Sequence, residues 1–220
     1  MILTTAYFPP VAYFALLARD FSFRDGEVHP SEVFLEASER YQKQSYRNRC
    51  YIAAGDGVQM LQVPVVHAPS MAIRDVLVDW STPWLVRTQR ALDAAYYTSA
   101  FYDYYRDDLF AVMDERPATL WAYNRSLTEF LLEKTGIRCR LLETETYAPA
   151  GSVPEDYREV IHPKRPDTVL RDLGLERPYF QVFADRYGFL GGLSTADLLF
   201  NEGPNALSFL KNGTPGPVTR

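Results

Sequence analysis

The spacing of apolar residues in this chain turns from strand-like to helical at Pro83, and that change limits the folds open to it. Between residues 32 and 80 the apolar pattern is strand-like. It is clearest over residues 48–66, where two apolar runs flank Gly55-Asp56-Gly57 and predict a β-hairpin. Alternation breaks between Met60 and Leu61, which predicts a bulge. From Pro83, a favoured first helical position, Leu85, Leu92, Ala95 and Tyr96 recur at helical spacing. A second helix is predicted over 101–113 and a third from Pro117, closed by Gly136.

Strands flank this helical middle third. Residues 2–8, 32–37, 73–80, 138–146 and 179–183 read as strands, and a short helix is predicted over 11–19. A loop with an Asp25-Gly26 turn spans 24–30. Residues 149–178 hold five prolines and predict a long ordered loop with one short helix at 168–173, the kind of loop that is commonly functional or mobile. Two short helices follow at 195–200 and 204–210. The expectation is one α/β domain over residues 1–211, a mixed sheet with a helical middle section, and a flexible tail at 212–220.

Composition narrows the partners. A chain of 220 residues buries about 70% of its unfolded surface and needs no staples. Its net charge of −5 and its lack of a long basic stripe argue against nucleic acid. Cys50 and Cys139 stand alone in their segments, so reduced, mostly buried thiols are expected and a zinc site is not. The start has no positive n-region, Pro9-Pro10 breaks its apolar stretch, and residues 11–18 are too short to span a bilayer. A soluble cytoplasmic protein without a membrane span is expected. No cofactor follows from the residues.

Three groups could carry chemistry. Gln44, Ser45, Arg47, Asn48 and Arg49 place five hydrogen-bonding groups in six positions, suited to an anion or a sugar nucleotide, or to a solvated turn. His162, followed by Lys164 and Arg165, could act as a general base beside an anion, or be a plain exposed loop residue. His29 and His67 read as loop residues. Asp197 and Asn201, four apart, share one helix face, where they could hold a ligand or simply cap the helix. The tyrosines at 96, 97, 102, 104 and 105 read as core, with a homo-oligomer interface as the second reading. No Walker, Rossmann or nucleophile-elbow pattern is present.

Four stretches together resemble the WbqC-like family: AYFPPVAYF at 6–14, YQKQSYRNRCYI at 41–52, IRDV through Trp84 at 73–84, and YFQVF at 179–183 with LSTADLLFNEGPNA at 193–206. The resemblance implies a role in bacterial surface-polysaccharide (O-antigen) biosynthesis. The implied activity is a transferase moving an acyl or aminoacyl group onto an activated amino sugar. In that reading Gln44, Arg47, Asn48, Arg49 and Asn201 bind substrate, and His162 or Asp197 handles the proton. The alternative is a non-catalytic small-ligand-binding or assembly protein. Two positions depart from the pattern. Thr4-Thr5 stand where many members have Gln-Pro, and Thr88 stands where many have histidine.

Overall fold

A computed structural model of the protein describes residues 1–24, 26–66 and 71–211. Asp25 of the expected turn, His67 and the expected tail at 212–220 lie outside the described residues. In chain order the first elements are β1 (Ile2–Leu3), α1 (Val11–Arg19), β2 (Ser22–Arg24), β3 (Glu27–His29) and β4 (Ser31–Leu35). The hairpin β5 (Arg49–Ala54) and β6 (Gly57–Gln62) follows, then β7 (Val65–Val66), a 3₁₀ turn at Ile73–Asp75, and β8 (Leu77–Val78). The helices α2 (Trp84–Tyr96), α3 (Tyr102–Asp114) and α4 (Leu120–Thr135) form the helical middle. After β9 (Cys139–Glu143) come the short helices α5 (Val169–Asp172), α6 (Ala184–Tyr187), α7 (Thr195–Glu202) and α8 (Ala206–Lys211).

The centre of the molecule is α1. Every residue from Val11 to Ala18 is buried, as expected of a helix apolar on all sides. It packs against β4, α5, α7 and α8. Three parallel strands in the order β1-β4-β9 lie beside it. In β4, Ser31, Val33 and Leu35 are buried while Glu32 and Phe34 are exposed, the period-two signature of a strand with one covered face. The Ser31 hydroxyl donates to the Leu17 carbonyl at 2.6 Å and ties the sheet to α1. Leu3, Leu35 and Glu143 stand level in the register, so all three strands end on the same edge.

The hairpin forms as the sequence predicts. Its register runs unbroken from Arg49–Gln62 to Ala54–Gly57, and Gly57 takes the positive φ of 111° that the tight turn needs. The bulge expected at Met60–Leu61 is absent. Val58 and Met60 face solvent, and Leu61 and Val63 belong to the core. The α4 helix closes at Gly136 as predicted, at φ 76°, but it begins at Leu120 rather than Pro117, because the Thr119 hydroxyl accepts from the Ala122 amide and caps it there.

Among the described residues, parallel and antiparallel pairings are divided among four small sheets. The strand expected at 2–8 stops at Leu3, because Tyr13 Oη donates to the Thr4 carbonyl and Phe8 turns to φ 42°. The strand expected at 73–80 is cut to Leu77–Val78 by the preceding 3₁₀ turn. Residues 179–183 form no strand. Gln181 bonds both to the Leu190 backbone and to Asp197, so side-chain bonds take the place of a ladder. The 24–30 segment, expected as a loop, holds β3 and the end of the β2–β3 hairpin.

Candidate functional site

The carboxyl edge of the parallel sheet is where open α/β sheets usually bind ligands. Here it is densely charged. Glu36, the first residue after β4, is fully buried, and both its carboxylate oxygens are taken. One accepts from the Ser38 amide and the Thr144 hydroxyl, each at 2.9 Å. The other accepts from the Ala148 amide at 2.8 Å and from Arg158 Nη1 at 3.4 Å. Arg158 also grips Asp156 through Nε and Nη2, and this contact holds the Asp156 carboxyl below its usual range. Above these groups lies a cleft of about 480 Å3 rimmed by Glu39, Arg40, Gln42, Tyr147, Asp156 and Arg158.

Residues 39–49 form the wall of this cleft and of a second one. Arg47 is only 1% exposed and makes a bidentate pair with Glu39, Nε to Oε1 at 2.9 Å and Nη2 to Oε2 at 2.6 Å. Its backbone carbonyl accepts from Asn124 Nδ2 at 2.8 Å. Gln42 donates to Glu159 at 3.1 Å, and Lys164 Nζ donates to Gln44 Oε1. These contacts hold the 159–165 segment against the wall. Gln44 sits at φ 60°, a left-handed conformation that a glutamine adopts at a cost of about 1 kcal/mol or more.

On the far side of the wall is a cleft of about 560 Å3 lined by Tyr41, Lys43, Gln44, Asn48, Arg49 and Gln62, with Pro64 and Val65. It contains two cations and no carboxylate. Asn48 is buried and donates through Nδ2 to the Val63 carbonyl at 2.9 Å, but its Oδ1 has no partner. Arg49 Nε is likewise buried without a partner, and Arg49 makes no ion pair among the described residues. Burial raises the Tyr41 hydroxyl, while nearby Arg49 and Arg47 pull it back down.

The sequence candidates therefore separate. Gln44, Asn48 and Arg49 line the basic cleft, and Arg47 braces it from beneath. His162 stands in the segment docked on the same wall and feels the Arg47 charge. Burial lowers its pKa first of all, and Arg165, Arg47 and Lys164 lower it further against the pull of Glu159, so the ring is neutral near neutral pH. Its Nδ1 accepts from the Lys164 amide at 3.1 Å, which leaves the ring proton on Nε2. Asp197 and Asn201 line neither cleft. Asp197 is fully buried, accepting from Tyr96 Oη at 2.7 Å, Tyr179 Oη at 2.6 Å and Gln181 Nε2 at 3.3 Å. Asn201 donates to the Asp197 carbonyl and accepts from the Ser99 hydroxyl.

Sequence reasoning missed Glu36, Glu39, Asp156 and Arg158. Only Glu36 carried a usable signal, a carboxylate directly after an apolar strand. Among the described residues no group of three or more His, Cys, Asp or Glu side chains is placed to hold a metal, and no helix is long and apolar enough to cross a membrane.

Fold and clefts together define an α/β protein whose parallel strands end against a charged, cleft-bearing edge. The chain belongs to the WbqC-like protein family, whose family model matches residues 5–161. That span includes the first three resembling stretches and both arginine–carboxylate pairs, and it ends before His162, Asp197 and Asn201. An uncharacterized protein of Mycobacterium tuberculosis is 26% identical, over 96% of this chain and 96% of its own length. No solved structure matches.

Proposed function

We propose that the protein binds an anionic small molecule of the sugar-nucleotide kind in its basic cleft, and that this binding serves transfer of an acyl or aminoacyl group onto an activated amino sugar in bacterial surface-polysaccharide biosynthesis. The observation that carries the binding step is the unmet polar demand of the cleft: Arg49 Nε and Asn48 Oδ1 are buried without partners, beside Lys43 and with no carboxylate in the lining. The polysaccharide setting comes from what the family resemblance implies. In the transferase reading His162, neutral, is the general base that takes the proton of the acceptor amine on Nδ1 in place of the Lys164 amide contact, and Asp197 braces the core.

A thermal-shift screen of the purified protein against sugar nucleotides, nucleotides, acyl donors and amino acids tests this, because a ligand that binds only the folded state raises the melting temperature. A shift with an anionic class, lost in Arg49→Ala, is the expected result. No shift with any anionic class defeats the reading. The second reading, a non-catalytic binding protein, is favoured by the complete engagement of the Asp197 carboxylate. The two part on turnover. If His162→Ala cuts product formation about a hundredfold while leaving the ligand shift intact, the enzyme reading stands. Saturable binding with no product under any donor and acceptor pair favours the binding protein.

A further inference from the structure

The positive lining of the basic cleft continues past its own boundary. Gln62, paired with Arg49 in the hairpin register, lines the basic cleft and also a smaller cleft of about 230 Å3 between β6 and α2. This second space is lined by Gln59, Trp84, Arg87 and Thr88 among others, again with no carboxylate. Arg87 makes no ion pair, and the Gln59 and Gln62 side chains make no hydrogen bonds, among the described residues. Within the described residues β6 pairs with β5 alone, so its other edge has no ladder partner.

The joined linings therefore hold three cations, Lys43, Arg49 and Arg87, in a chain whose net charge is −5. Like charges gathered in a cleft without counter-charges repel one another, and a bound polyanion removes that cost. Gln62 belongs to both linings and Arg87 only to the smaller one, so an anion confined to Lys43 and Arg49 leaves Arg87 unmet.

We infer that the two clefts form one groove for a ligand carrying two linked phosphoryl groups, of the nucleoside-diphosphate class, with Arg87 and Gln62 as residues that select a diphosphate over a monophosphate. The inference rests on the basic cleft being the binding site.

Isothermal titration of the full chain with uridine diphosphate, uridine monophosphate, inorganic pyrophosphate and inorganic phosphate tests it. The diphosphate members should bind about tenfold or more tightly than the monophosphate members, equivalent to one further charged contact. Arg87→Ala should erase that preference and leave monophosphate binding unchanged. Arg90→Ala, an exposed arginine of the same helix that lines neither cleft, should change nothing. Affinity should fall as salt is raised, since Arg87 and Lys43 are exposed. Equal affinity for mono- and diphosphates in the native protein, or an intact preference in Arg87→Ala, overturns the joined groove and leaves the basic-cleft reading standing. If none of the four probes binds, or if Lys43→Ala and Arg49→Ala both leave uridine diphosphate affinity unchanged, the groove and the basic-cleft reading fall together.

Discussion

The two clefts beside residues 39–49 share a wall and differ in how their polar atoms are spent. Around the cleft at the carboxyl edge of the sheet, Glu36, Glu39, Asp156, Arg47 and Arg158 are joined to one another and to backbone groups, leaving little for a visitor. Around the basic cleft, Asn48 Oδ1 and Arg49 Nε are buried and unpaired. Both regions are charged and concave, and of the two only the second has buried polar atoms without partners. A satisfied buried network rigidifies a fold, while an unsatisfied one costs stability until something fills it. On this comparison the charged edge of the sheet serves the fold and the neighbouring cleft is the one we propose for a ligand, although the edge has the position where α/β sheets more often bind.

Substitutions sharpen or break that contrast. The largest effect is expected at Arg47→Ala, which strands Glu39 in a buried site and should cost about 3–5 kcal/mol by chemical denaturation. A loss under about 1 kcal/mol would mean that the wall is not held by this pair.

Next comes Asp197, whose carboxyl is pushed above its ordinary range by burial, against the pull of Tyr179, Tyr96 and Gln181. A folded pKa raised above the unfolded value of 3.8 adds stability that is present below 3.8 and lost as pH rises through the folded pKa. Asp197→Asn should remove this dependence. The stability difference between the two proteins should then move in favour of asparagine as pH rises from 3.8 toward neutrality, with both followed by denaturant titration. A constant difference would place the Asp197 pKa at its ordinary value.

The smallest effect is expected at Lys43→Ala. The side chain is exposed and makes no ion pair among the described residues, so folding stability should stay within about 0.5 kcal/mol of the parent while anionic-ligand affinity falls. A large loss of stability there would erase the distinction between the two regions.

Where local chemistry decides the outcome, the fold could be read from the sequence. Gly136 marks the end of α4, and Gly57 marks the hairpin. Where a side chain from a distant segment captures a backbone or a polar group, it could not. The alternation at 179–183 looks like a strand, yet Tyr179 and Gln181 are drawn to Asp197, a helix residue 16 or more positions later. The basic cleft was legible in part: Gln44, Asn48 and Arg49 are adjacent in sequence and reach it together. The sequence presents Arg47 as a ligand contact, whereas in the fold it braces the wall through Glu39, which lies eight residues back in irregular chain, where no periodicity announces a pairing. The contribution of Lys43 and Gln62 depends on the hairpin folding back toward residues 41–44, which spacing alone does not reveal.

The shared wall has a mechanical consequence. Residues 38–42 rim one cleft and 41–49 the other, and Gln42 and Gln44 fasten that wall to Glu159 and Lys164. The 159–165 segment thus bears on both chambers: Glu159 rims the first and Lys164 holds Gln44 in the lining of the second, so a molecule lodged in the basic cleft would stiffen the segment as well. Slowed amide hydrogen exchange across 157–165 on loading that cleft would be the sign of it, a seal tightened from the other side of the partition.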